Sequence, residues 1–233
     1  MFIAHTESWK ELNSQIVACE ACPRLVTYRR EVARTKRRAY RDWDYWGRPV
    51  PGFGDHDARL LIVGLAPGAH GSNRTGRMFT GDSSGDTLMG ALRRAGFSNQ
   101  STSRHRDDGL ELHDAFITAV VRCVPPKNRP SLQEQSNCRS YLARELDLLS
   151  SVQVVLALGR IAFEGYLALL REQAVEVPRL PFAHGASHEF GPAAPTLIVS
   201  YHPSRQNTQT GRLTQTMFDE VFEQVRALLS SDT

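Results

Sequence analysis

Residues 60–82 read LLIVGLAPGAHGSNRTGRMFTGD, and the fold is decided here. The apolar run at 60–63 reads as a buried strand. It empties into a loop carrying Gly64, Gly68, Gly71, Gly76 and Gly81, and a helix is expected from about Ser83. In an open α/β sheet, ligands bind beyond the carboxyl ends of the strands. Glycines there let backbone N–H groups come close to a ligand, because no Cβ stands in the way. Working outward, apolar strands are expected at 115–121, 152–158 and 196–200, separated by helical patterns at 86–95, 131–149 and 161–171. Ser131 with Glu134 three residues on forms a capping box. Strand and helix in alternation imply a four-stranded parallel sheet covered on both faces, a three-layer α/β/α sandwich in one domain spanning 1–233. The loops 64–82, 122–130 and 200–212 then meet at one end of the sheet.

The 233 residues are 41% hydrophobic and 23% charged, ordinary for a soluble protein. No apolar run approaches the roughly 18 residues that span a bilayer, so no membrane partner is expected. The N-terminal MFIAHTESWKEL lacks the layout of a secretory leader, which makes a cytoplasmic location the expectation. A helix is expected over 6–17, and a second up to about Ala39. Within 29–48 fall Arg29, Arg30, Arg34, Lys36, Arg37, Arg38, Arg41 and Arg48, interleaved with Tyr40, Trp43, Tyr45 and Trp46. Such a mixture suits a polyanion with bases to stack on; a solvated helix face with an aromatic anchor is the plainer reading. Residues 98–109 are polar, unpatterned and expected to be exposed.

Cys19, Cys22, Cys123 and Cys138 leave gaps of 2, 100 and 14 residues. Four thiolates can close one site around zinc or an iron–sulfur cluster, and the spread second pair suits the larger cluster. Four unrelated buried thiols are the remaining alternative. The spacing G-x-A-P-G-x-x-G matches neither a dinucleotide fingerprint nor a P-loop. What remains is a backbone-lined pocket with Asn73, Arg74, Arg77, Phe79, Thr80 and Asp82. Phe79 is either core or a stacking platform, and Asp82 suits the start of the next helix. His202, just past the last strand, can donate to an oxygen gaining negative charge. Ser204, Arg205, Gln206 and Asn207 form a polar stretch suited to phosphates.

Together, GLAPGAHGSNRTGRMFTGD (64–82), VRCVPPKNRP (121–130), YHPSRQNTQTGRLT (201–214) and the four cysteines resemble the uracil-DNA glycosylase superfamily. The likeness is to its iron–sulfur members, closely to the type b, family 5 enzymes, and runs from about Ala18 to Leu228. It implies a monofunctional glycosylase that flips uracil out of double- or single-stranded DNA and hydrolyses its glycosidic bond, acting as a monomer in base-excision repair. It would work in the cytoplasm, at the nucleoid. Phe79 matches the family's stacking aromatic, and His202 the histidine that bonds the departing base. Gly64, Leu65, Ala66 and Gly68 match the lining around the base, and Arg74, Ser204, Arg205, Gln206 and Asn207 fall in the DNA-contacting motifs. The four cysteines would carry a structural 4Fe–4S cluster.

Two departures stand out. Ala66 occupies a position where other branches carry a polar residue that positions water, leaving Asn73 and Asn128 as candidates. Ala119 stands where family 4 relatives carry a base-reading Asn. A site without such an amide rejects other bases weakly, so hypoxanthine and other deaminated bases are expected substrates. The rival readings are a narrow, family 4-like glycosylase, an iron–sulfur redox protein, and a damage binder without activity.

Overall fold

The computed structural model describes residues 8–230. Thr6 and Glu7, the first positions of the helix expected over 6–17, lie outside them, as does most of the segment read for a leader. In chain order the described residues form α1 (Trp9–Ala18), α2 (Pro23–Thr35), β1 (Phe53–Gly54), β2 (Leu60–Gly64), α3 (Ser72–Thr75) and α4 (Ser83–Arg94). There follow β3 (Ala115–Ala119), α5 (Leu132–Leu148), β4 (Val154–Leu158), α6 (Arg160–Glu172), β5 (Ser187–His188), β6 (Thr196–Ser200), α7 (Arg205–Gln209) and α8 (Gln215–Ser230).

The strands alternate between two cores, as a pleat with period two requires. Leu60, Ile62, Ile117, Leu156 and Ile198 face one core, which α4 and α8 close with Leu88, Leu92, Phe218, Phe222 and Val225. Leu61, Val63, Phe116, Val155 and Val199 face the other, closed by Leu142 of α5 and by Phe163 and Tyr166 of α6. The expected sandwich is present. Its sheet has the order β1-β3-β2-β4-β6-β5. The four inner strands are parallel, and two-residue antiparallel strands extend the sheet at each edge. β2 lies between β3 and β4, so the chain leaves it in both directions, and a crevice opens at its carboxyl end.

Local chemistry sets the element ends. Ser131 and Glu134 close the expected capping box, Ser131 Oγ accepting from the Glu134 N–H at 3.2 Å. α2 stops earlier than expected, at Thr35, because Lys36 turns left-handed (φ 53°). The 98–109 segment is mostly exposed, as expected, but is anchored at two points. Ser98 and Ser103 are buried, and Arg77 pins the segment through Ser103 Oγ (2.9 Å) and Asp108 (2.7 Å). Among the described residues no helix is long and apolar enough to cross a membrane.

Candidate active site

A cavity of about 690 Å³ opens where the loops after β2, β3 and β6 meet. Leu65, Ala66, Gly68, Phe79 and Asp82 line it from the first loop, Asn128 from the second, and His202 and Arg205 from the third. Arg37 and Tyr40 reach it from the turn after α2.

Phe79 is 9% exposed and held in the left-handed region at φ 47°. For an aromatic residue that conformation costs about 1–3 kcal/mol, which the surrounding structure must impose. Gly64 lies under the ring rather than in the cavity wall. A Cβ at that position would stand 2.8 Å from Phe79 Cε2, closer than packing allows.

His202 lies against the Phe79 ring, with centroids 5.8 Å apart and planes 28° off parallel. Its carbonyl accepts from the Ser204 N–H (2.7 Å) and from Asn207 Nδ2 (2.9 Å), which fixes the turn. Burial pushes its pKa down to about 4. At neutral pH the imidazole is therefore uncharged and carries one N–H to donate. His70 also faces the cavity; Tyr45 Oη pairs with its Nδ1 at 3.1 Å.

Asp82 caps α4, its Oδ1 accepting from the N–H groups of Ser84 (3.1 Å) and Gly85 (3.0 Å). Its other oxygen lies against the glycine loop. A Cβ on Gly68 would stand 2.8 Å from Asp82 Oδ2, and one on Gly71 would overlap it. Burial raises the carboxyl pKa against the pull of the two amides. The sequence placed Asp82 both in the loop pocket and at the helix start, without a role in the reaction.

Asn128 and Lys127 both adopt φ 55°, a conformation Asn tolerates better than most residues. The structure places Asn128 in the cavity but does not bring Asn73 there. Asn73 is 1% exposed, and its Nδ2 donates to the Arg29 carbonyl at 3.3 Å, bracing the loop against α2.

Arg74 is likewise corrected from a DNA contact to a buried brace. Its guanidinium lies 4.0 Å from the centroids of both Tyr40 and Trp43. It donates to the carbonyls of His70 (2.7 Å) and Gly81 (2.9 Å), closing the loop on itself. Ser204 is the N-cap of α7, accepting from the Asn207 N–H, so Ser204 and Asn207 shape the His202 turn. Arg205 and Gln206 are exposed, and only Arg205 lines the cavity. Ala119 is packed in the sheet beside Gly64, away from the cavity wall.

The four cysteines converge behind the site. Burial pushes the Cys123 thiol up to about 12; nearby Arg29 opposes this, while Cys138, Cys19 and Cys22 add to it. Burial likewise pushes Cys138 up to about 11. Polar groups reach three of the sulfurs: Asn137 Nδ2 donates to Cys22 at 3.4 Å, the Tyr141 hydroxyl bonds Cys19, and the Arg122 N–H bonds Cys138. Among the described residues no group of three or more His, Cys, Asp or Glu is arranged, as it stands, to hold a metal ion. The donor set itself, four thiols in an apolar pocket with hydrogen bonds to sulfur, fits an iron–sulfur cluster.

Comparison with known proteins agrees with this geometry. The family model described as "Uracil DNA glycosylase superfamily" matches residues 51–226. A type-5 uracil-DNA glycosylase of Thermus thermophilus is 52% identical over 213 residues, covering 91% of this chain and 94% of its own. One from Mycobacterium leprae is 51% identical, covering 94% of each chain. One from Pyrobaculum aerophilum is 45% identical, covering 92% of this chain and 90% of its own. With most of its length matched and the strand-end cavity in place, this chain belongs to the uracil-DNA glycosylase superfamily.

Proposed function

We propose that this protein is a uracil-DNA glycosylase that takes a flipped nucleotide into the strand-end cavity and hydrolyses its glycosidic bond, leaving an abasic site for base-excision repair. The observation that carries this is the meeting of Phe79, a neutral His202, Asn128 and Asp82 around one cavity. Phe79 supplies a stacking face for a planar base. His202 donates to the base oxygen that gains charge as the bond breaks. Because the donor is already oriented, it stabilises the transition state more than the ground state. Ala66 offers no polar atom to a water. That task falls to Asn128, whose side-chain amide has no partner among the described residues, and to the free oxygen of Asp82. A carboxylate there also favours the cationic character that the sugar gains as the base departs.

The cavity reads the base by stacking and one imidazole, with no side-chain amide committed to the base, so hypoxanthine and other deaminated bases are further substrates. Arg37 and Arg205 at the rim would meet phosphates of double- or single-stranded DNA, with one protein molecule per lesion. Cys19, Cys22, Cys123 and Cys138 would hold a 4Fe–4S cluster that ties the α1–α2 segment to the end of β3 and to α5, a structural duty. Labelled U·G, U·A and hypoxanthine·T duplexes, incubated with the protein and cleaved with alkali, test the reading. Strand breaks at uracil are expected; intact strands in all three would refute it.

A further inference from the structure

A second cavity, of about 850 Å³, lies between α1, α2 and the segment 45–51. Tyr45 stands between the two cavities: it lines this one, while its hydroxyl pairs with His70 of the other. Nothing in the proposed reaction uses this space. Five cations line it, Lys10, Arg29, Arg30, Arg48 and Arg106, against the single carboxylate of Glu20. That carboxylate is already held by Arg30.

Two of these cations are held in place by a ring. The guanidinium groups of Arg48 and Arg106 lie 5.7 and 4.5 Å from the Trp46 centroid, and Trp46 is fixed through its Nε1, which donates to the Pro49 carbonyl at 3.0 Å. Stacking occupies the face of a guanidinium and leaves its N–H edge for an acceptor. Arg29 adds a built component. It is 3% exposed and donates to Gly47 O (2.7 Å) and Cys19 O (3.3 Å), yet its buried Nε has no acceptor. A buried donor left unpaired is costly; the same guanidinium lies 3.9 Å from Glu20 Oε1 and holds positive charge at the floor of the cavity.

We propose that this cavity is a second nucleic-acid site, which takes the phosphodiester backbone of the strand beyond the flipped nucleotide. The cavity is too large for one phosphate, and its cations run from α1 across to the 106 loop, as a strand would need. Its position beside the first cavity, one Tyr–His pair away, places it within reach of the same DNA. The assignment rests on the first cavity being the base pocket.

The test uses Arg48→Ala/Arg106→Ala, two exposed positions outside the base cavity, with Arg171→Ala on α6 as the control. Affinity for a uracil-free duplex is measured against salt, so the result does not depend on base excision. Removing one cation that pairs with a phosphate lowers the slope of log K against log salt by about 0.9, so the double variant should fall by about 1.8 and the control not at all. An unchanged slope in the double variant overturns the proposal. If Trp46 fluorescence then still responds to inorganic pyrophosphate, the cavity holds small free phosphates instead of a strand, which overturns it equally. Uracil release from a U·G duplex, followed in parallel, is expected to proceed in the double variant at saturating enzyme. Its absence in the wild type would refute the glycosylase reading separately.

Discussion

The strand-end cavity and the cysteine pocket sit at opposite ends of a scale of self-sufficiency. Around the cavity three of the functional groups are held by the chain itself. Asp82 is fixed by the amides of α4, His202 by its own turn, and Phe79 by a strained backbone over Gly64. In the cysteine pocket, four thiols are brought together, and burial pushes two of them up, Cys123 to about 12 and Cys138 to about 11. A thiol ligates as the thiolate, so the proposed metal group would supply the charge that stabilises these sulfurs in their ionised form. The difference implies that substitutions in the cavity act on the rate at nearly constant stability. In the cysteine pocket they should act on stability and leave the chemistry of correctly folded molecules alone.

The largest effect is expected in the cavity. Removing a preorganised donor costs about 10²–10³ in rate, so His202→Ala should lose that much in single-turnover uracil release with its thermal unfolding little changed. A parallel collapse of stability would erase the contrast. Next comes the cysteine pocket. Partners of metal ligands are worth about 10–100-fold in metal affinity, so Asn137→Ala should release iron to a chelator about that much more readily. Its visible absorption should fade while the remaining loaded molecules retain their turnover.

Asp82 lets the two properties be separated at one residue. Asp82→Asn keeps an oxygen to cap α4 and should slow the reaction without loss of stability. Asp82→Ala should slow it and also cost about 0.5–2 kcal/mol in denaturant unfolding, the usual loss for a missing cap. Equal stability of the two variants would remove the capping role.

A further effect concerns pH. His202 takes up a proton near its ordinary 6.5 in the unfolded chain but only near 4 in the fold. Between those values the unfolded state binds more protons, so this residue lowers stability as pH falls from about 6.5 to about 4. His202→Phe should flatten that part of the stability profile. An unaltered profile would mean the imidazole titrates normally.

How much of this was legible depended on the distance over which each feature is decided. The strands, the α5 capping box and the helix start at Asp82 rest on residues within a turn of one another, and the apolar periods showed them directly. β1 and β5 have two residues each, too few for a period to register. Arg74 and Asn73 sit in a polar, glycine-rich loop and look free. Their burial comes from Tyr40, Trp43 and the Arg29 carbonyl, contributed by chain more than 30 residues upstream. Within the exposed 98–109 segment, the burial of Ser103 and its bond to Arg77 were hidden for the same reason. His202 stood out because it follows a strong strand closely, and Phe79 because it stands beside arginines in a glycine-rich loop. Asp82 was placed in the loop pocket and at the helix start, but the setting of its second oxygen could be seen only once Gly68 and Gly71 folded beside it.

The central claim is that a neutral His202 stabilises the departing base. It is tested most directly by changing the base. Single-turnover release of uracil and of the better leaving group 5-fluorouracil should be compared in the wild type and in His202→Ala. The deficit of about 10²–10³ on uracil should shrink clearly on 5-fluorouracil, which needs less help to leave as an anion. An equal deficit on both bases would contradict the account.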